Sequence, residues 1–391
     1  LEGAYFGTLR KLSFTGWFNS RLLTDPYYTT SSQTPWLNIA LFNYTLRYES
    51  PLNRVSAKYS WGIESRFIEA FARHALYLQQ QWSDRRSVKL ELKSMYRSGN
   101  WQQFYLQNPA EWNSVAGQGA GSNATKENTS LQLRYTDQVP FLKGWMQYQL
   151  TLHAPLTYQY TYFQTEAWHQ AEWKKLEFRS RLILRLGSGN DIPNESALFL
   201  QGASPEEQME SKWNRSRGIV PDEWLGTGNS MSAWHAGGGL NIRGYQGRLL
   251  TGHTAGGETL LAYKSRSGAA FNLEIDFDRF FRIHPPVIRQ YLHFDSYVFG
   301  DAGMISRSRW SGTAATRLGP AASWSKVLAD AGVGMACTIK KWGPFEKINP
   351  FTLRVDFPFW VSQPPTVQKG NLITKESPFA FRWLIGVNRS F

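Results

Sequence analysis

Residues 269–279 read Ala269-Ala270-Phe271-Asn272-Leu273-Glu274-Ile275-Asp276-Phe277-Asp278-Arg279. Ala269, Phe271, Leu273, Ile275 and Phe277 are apolar, whereas Asn272, Glu274, Asp276 and Asp278 stand between them. A period of 2 means a β-strand with one apolar and one polar face. The pattern recurs in 351–359, where Phe351, Leu353, Val355, Phe357 and Phe359 oppose Thr352, Arg354 and Asp356. It recurs again in 379–391, where Phe379, Phe381, Trp383, Ile385, Val387 and Phe391 form the apolar series, interrupted by Arg389. About ten residues is also the length a tilted strand needs to cross a bilayer.

Working outward, the same alternation places strands at 7–18, 36–49, 54–63, 66–82, 85–98, 129–137, 145–152, 156–168 and 172–187, and later at 292–303 and 331–342. In 172–187, Leu182, Leu184 and Leu186 oppose Arg179, Arg181 and Arg185. A soluble core excludes arginine at three alternate places, and a water-filled lumen accepts it. Residues 66–82 are ambiguous, because Phe67, Phe71, Ala75 and Leu78 also stand at helical spacing.

Composition agrees with this reading. Among 391 residues there are 17 Trp and 18 Tyr, and 43 Lys plus Arg against 30 Asp plus Glu give a net charge of +13. No apolar run reaches the roughly 18 residues of a membrane helix, and aromatic-rich chains bury too much surface to be disordered. One cysteine, Cys337, excludes a disulfide framework and a cysteine-ligated zinc site. There is no phosphate loop and no His-Glu-x-x-His, so no cofactor or metal is expected. Nucleic acid is not an expected partner either, since no basic stripe or RNA-binding aromatic motif is present. A transmembrane β-barrel therefore leads, with a soluble β-sandwich as the competing class. Trp17, Trp36, Trp61, Trp82, Trp145, Trp342 and Trp360 fall at strand ends, where a barrel carries its aromatic girdles.

The connections sort by length. Gaps 188–268, 304–330 and 361–378 are long and 281–291 and 343–350 short, as short periplasmic turns and long outer loops require. Upstream, 99–128 is long while 83–84, 138–144 and 169–171 are short; the two outer connections near 64–65 and 153–155 break the pattern by being short. Residues 1–391 are thus expected to form one all-β, antiparallel barrel of about 14–16 strands. Backbone groups in hydrocarbon must all be paired, so strand 379–391 should close onto strand 7–18.

Within the long connection 187–268 lies Gly237-Gly238-Gly239-Leu240-Asn241-Ile242-Arg243-Gly244-Tyr245. It resembles the Arg-Gly-Phe/Tyr loop motif of the outer-membrane assembly and translocation barrels, the superfamily of BamA, TamA and the two-partner secretion transporters. Further features follow in that family's order. Asn272-Leu273-Glu274-Ile275-Asp276-Phe277 is similar to its strand with an inward Glu, and Val298-Phe299-Gly300-Asp301-Ala302-Gly303 to its Phe-x-Asp-x-Gly strand. Ala331-Gly332-Val333-Gly334-Met335, Gly343-Pro344 and Pro350-Phe351-Thr352-Leu353-Arg354-Val355 come next, and the chain ends on Phe391. The resemblance covers about 180–391 well.

By their parity, Glu274 and Asp301 point into the lumen, and a guanidinium suits two carboxylates better than an ammonium does. The resemblance implies that the loop folds inside and that Arg243 pairs with Asp301 and Glu274, with Gly244, Tyr245 and Gly303 in the motif. On the opposite reading Arg243 sits in an exposed loop. Gly386, in the middle of the last strand, marks either a seam that opens easily or a packing position against the plug.

The resemblance further implies insertion or translocation of client outer-membrane proteins through the seam, in the bacterial outer membrane, without enzymatic chemistry. A secretion pore through the lumen and an anchor for a separate, enzymatic domain are the alternatives. Lipid, unfolded clients and accessory lipoproteins are the implied partners. Lys212, Arg215, Arg217, Arg307, Arg309, Arg317 and Lys326 fall in expected outer loops, where they either meet lipopolysaccharide phosphates or are ordinary solvated charge. His293, Asp295 and Asp301 share one face but lack a nucleophile beside them. The periplasmic modules that precede such barrels are not recognisable before Leu1, so the chain is expected to be a mature or trimmed form.

Overall fold

The computed structural model describes residues 11–18, 42–54, 57–67, 71–97, 127–189, 192, 196–208, 210, 233–247, 250–254, 257–261, 264–279, 291–308, 321–340, 351–369 and 372–387. Fourteen long-range strands follow in chain order. They are β1 (Lys11–Phe18), β2 (Phe42–Arg54), β3 (Ala57–Phe67), β4 (Phe71–Gln81), β5 (Ser87–Arg97), β6 (Glu127–Phe141) and β7 (Gly144–Pro155), followed by β8 (Tyr160–Trp173), β9 (Leu176–Gly189), β10 (Gly268–Asp276), β11 (Leu292–Ser308), β12 (Leu328–Ile339), β13 (Phe351–Val361) and β14 (Leu384–Val387). Each pairs antiparallel with the next, forming one meandering sheet from β1 to β14. A short strand, Ala321–Trp324, pairs with the end of β11. Among the described residues no helix is long and apolar enough to cross a membrane.

Residues 71–81 form a strand, which settles the ambiguity of 66–82. Arg73, Ala75 and Tyr77 are buried and His74, Leu76 and Leu78 exposed, a period of 2. Ladders to β3 and β5 on both sides override the helical spacing.

The last strand departs from its predicted alternation ahead of Leu384. Among the described residues, regular pairing with β13 covers Leu384–Val387, and Phe379 makes an isolated bridge to Trp360. Arg382 is the physical reason. Its side chain turns back, donating to Glu376 Oε2 at 2.9 Å and to the Ser377 and Pro378 carbonyls at 2.7 and 3.4 Å. Between these pairings three residues of β13, Phe357 to Phe359, face four, Ala380 to Trp383, so one residue is extruded from the ladder. Phe391 and residues 7–10 lie outside the described residues. No ladder joins β14 to β1 among the described residues.

Side-chain burial is inverted relative to a water-soluble sheet. On β6, Leu131 and Leu133 are 38% and 40% exposed, while Ser130 and Gln132, which alternate with them, are 2% and 4% exposed. The exposed leucines line up across strands: Leu90 stands beside Leu133, Leu133 beside Leu152, Leu152 beside Phe163, and Phe163 beside Leu186. The face behind them buries Arg73, Glu91, Lys93, Glu166, Arg181 and Arg185. Those charges are paired: Arg73 with Glu91 and Arg181 with Glu166.

The long connection between β9 and β10 packs on this polar face. Its limbs are zipped by backbone bonds from Leu240 to Phe199, from Ile242 to Leu200 and from Ala203 to Ala236, each 2.8–2.9 Å. Leu198, Leu200, Leu240, Ile242 and Tyr245 bury an apolar cluster against Ile183, Ala270, Ile305, Leu328 and Val361 of β9 to β13. The apolar core therefore lies between connection and sheet, where apolar loop residues find the only dry surface on that side.

Candidate functional site

Arg243, Gly244 and Tyr245 form one turn of 3-10 helix, all three buried. Asn241, at φ 56°, reverses the chain just before it. The turn aims the Arg243 side chain at the acids of three strands. Nε and Nη2 donate to the two oxygens of Asp301 at 2.7 and 3.0 Å, and Nη1 donates to Glu274 Oε1 at 2.7 Å. Asp356 Oδ2 lies 3.6 Å from Nη1. The guanidinium carbon sits 3.8 Å over the Phe299 ring, so its flat face is covered as well as its edge. Burial alone would weaken its protonation, but Asp301 and Glu274 raise its pKa above the usual range.

The carboxylates are themselves held. Asn272 donates to Asp301 Oδ1 at 3.0 Å and to the Asn241 carbonyl at 3.0 Å. Tyr297 donates to Asp356 Oδ1 at 2.5 Å, and Arg354 Nε approaches Asp356 Oδ2 at 3.2 Å. The Gly244 amide donates to Asp330 Oδ2 at 2.6 Å. Asp330 stands directly across the ladder from Asp301, where two ionised carboxylates would repel. Arg243 and the Gly244 amide offset that repulsion. At Gly244 a Cβ would lie 2.7 Å from both Asp330 Cβ and Val361 Cγ1, so only glycine brings the backbone this close.

The structure thus brings together Arg243, Gly244, Glu274 and Asp301. Tyr245 turns into the apolar cluster, and its hydroxyl accepts from the Gln363 amide at 3.1 Å. Gly303 is buried opposite Ala270, and a Cβ there would sit 3.1 Å from Ile242 Cδ1. Gly386 lies apart from this cluster, against the backbone of His235. Asp301 is committed to Arg243 and Asn272, whereas His293 pairs with Asp295 at 2.8 Å in a half-exposed position.

Sequence reasoning missed Asp330, which precedes the first clear alternation of its strand, and it gave Asp356 no role. It also missed a second anchor of the connection. Ser204 caps a short helix, Pro205–Gln208: its amide donates to Glu207 Oε2 at 2.8 Å and its hydroxyl accepts from the Glu207 amide at 3.3 Å. Ser204-Pro205-Glu206-Glu207 is a capping box, a signal present in the sequence. The cap sets Glu206 against Lys93 and, across the turn, Glu207 3.5 Å from Arg185, while Glu210 pairs with Arg73.

Burial alone would raise the pKa of Glu206, but Lys93 outweighs it and pushes the carboxyl down from 4.5 to about 2. A depressed folded-state pKa contributes stability above 4.5 that is lost as pH falls through about 2. The melting-temperature advantage of the native protein over Glu206→Gln should therefore be constant from about pH 7 to 5 and shrink toward pH 3. An advantage that grows on acidification would contradict this ion pair.

The chain is similar to a BamA barrel. Its fold superposes on the crystal structure of BamA from Haemophilus ducreyi lacking POTRA domains 1–3 with a TM-score of 0.45 and 12% identity, covering 89% of this chain and 62% of that one. The present chain thus spans less than two thirds of that BamA chain. No family model matches the sequence, and neither does any curated protein.

Proposed function

We propose that the chain is an outer-membrane β-barrel that inserts or translocates client proteins at the seam between its first and last strands. One observation carries the membrane reading: the sheet exposes its leucines in cross-strand rows and buries its charges. In water this arrangement is unstable, whereas in a bilayer the apolar rows meet acyl chains and the charges line a wet interior. Every backbone group in hydrocarbon must be paired, so β1 closes on β14 there along the part of its edge that the connection leaves open. The docked connection fills the interior as a plug, pinned by Arg243 on one wall and by Glu206 on another.

The seam is the only pairing of such a barrel whose two strands no loop connects. The assembly role rests on the Arg-Gly-Tyr turn and the acids around it, the residues by which the sequence resembles the assembly barrels. The mechanism needs no bond making. The ladder that holds β14 is interrupted by the residue extruded just before Leu384, which weakens its edge. Opening that edge presents unpaired N–H and C=O groups that template an incoming strand. Lipid and unfolded outer-membrane proteins are the partners this requires.

A disulfide between residues in 10–15 and 383–388, made in a Cys337→Ala background, tests the route. The locked barrel should keep its fold and lose assembly of an unfolded eight-stranded outer-membrane protein in proteoliposomes. Full activity in the locked form would reject the lateral route, and ion conductance preserved in it would point to a pore through the interior.

A further inference from the structure

The plug does more than sit on the polar face: it holds the outer edge of the last strand. Strand residues send their N–H and C=O groups alternately to the two edges. Leu384 and Gly386 stand opposite Asp356 and Arg354 of β13, with Ile385 between them. The polar groups of Ile385 are both taken on the side away from β13. Its amide donates to the Ala233 carbonyl and its carbonyl accepts from the His235 amide, each at 2.8 Å. Trp234 and Ile385 are partners in a parallel bridge.

Side chains fix this contact. Trp234 packs with Val387, Phe351 and Ile385. His235 Nδ1 accepts from Arg354, so its Nε2 carries the proton and donates to the Gln201 carbonyl at 2.9 Å. Gly386 leaves room for it, because a Cβ would lie 2.5 Å from the His235 carbonyl oxygen. The same connection bears Arg243 eight residues on, so motif and edge belong to one docked unit.

We infer that Ala233–His235 is an internal strand that occupies the seam edge of β14, and that it must withdraw before this edge accepts an extended client segment. The client competes for the backbone groups of Ile385 that the plug already uses. This inference rests on the lateral route proposed above. It adds a gate to that route: edge opening and plug release are one event.

The test is a Trp234→Cys/Ile385→Cys pair in the Cys337→Ala background, compared oxidised and reduced in the same proteoliposomes, beside the locked seam. The oxidised pair should assemble the unfolded eight-stranded protein at least tenfold more slowly than its own reduced form. Equal rates, with the locked seam inactive, would overturn the gate and leave the lateral route standing. Equal rates with the locked seam also active would remove both. If the reduced variant does not fold, deuterium uptake of the unaltered protein decides. Amides of 233–237 should exchange at least tenfold faster once the unfolded client is added, and unchanged protection during assembly would overturn the gate.

Discussion

Arg243→Ala should destabilise the fold by about 3–5 kcal/mol, the usual cost of removing one partner from a buried charge pair. The loss falls on the partners. Asp301 and Glu274 would keep their burial and lose their shared cation, and Asp356 would retain Arg354 alone among the arginines near it. Asp301 would also face Asp330 across the ladder with nothing between them but Asn272 and the Gly244 amide. The expected result is a lower urea midpoint for the loss of heat-modifiable gel migration. Arg243→Lys should recover only part of it, since one ammonium cannot donate in parallel to both Asp301 oxygens and still reach Glu274. Combining Arg243→Ala with Asp301→Asn should cost less than the sum of the two by about 0.5–3 kcal/mol. Strict additivity would mean that the pair does not act as one unit.

Gly244→Ala should cost about 1–3 kcal/mol through overpacking, although it adds a single methyl group. That methyl would meet Asp330 Cβ and Val361 Cγ1 at 2.7 Å, and neither is the flexible end of a long side chain. To relieve the clash the turn must lift, which lengthens the 2.6 Å bond from the Gly244 amide to Asp330 and tilts Arg243 away from its acids. The same urea midpoint reads the effect. A Gly244→Ala protein as stable as the native one would show that the turn does not need this close approach.

Much of this was legible in the residues, for physical reasons that differ by element. Strands with one apolar and one charged face announce themselves, so 172–187 and 269–279 were placed within a few residues of β9 and β10. Parity also put Glu274 and Asp301 on one face, and resemblance supplied their cation. Asp330 escaped because the small residues Ala331, Gly332 and Gly334 that follow it blur any contrast between faces. The acids of the long connection escaped for another reason. Glu206, Glu207 and Glu210 lie in a long connection without periodicity, and their cations stand on other strands, Lys93 and Arg73 more than 100 residues away and Arg185 on β9. The extruded residue before Leu384 was illegible because it follows from where the Arg382 side chain turns. Gly386 carried two readings, and the close approach of His235 gives its packing a physical cause.

The proposed membrane role turns on which face of the sheet meets lipid. Nitroxide labels placed singly at positions 130 to 135 of β6, in a Cys337→Ala background and reconstituted in bilayers, measure this by collision with oxygen and with a water-soluble nickel chelate. Oxygen accessibility should peak at 131, 133 and 135 and fall at 130, 132 and 134, with period 2. Peaks at 130, 132 and 134, or no alternation, would contradict the account.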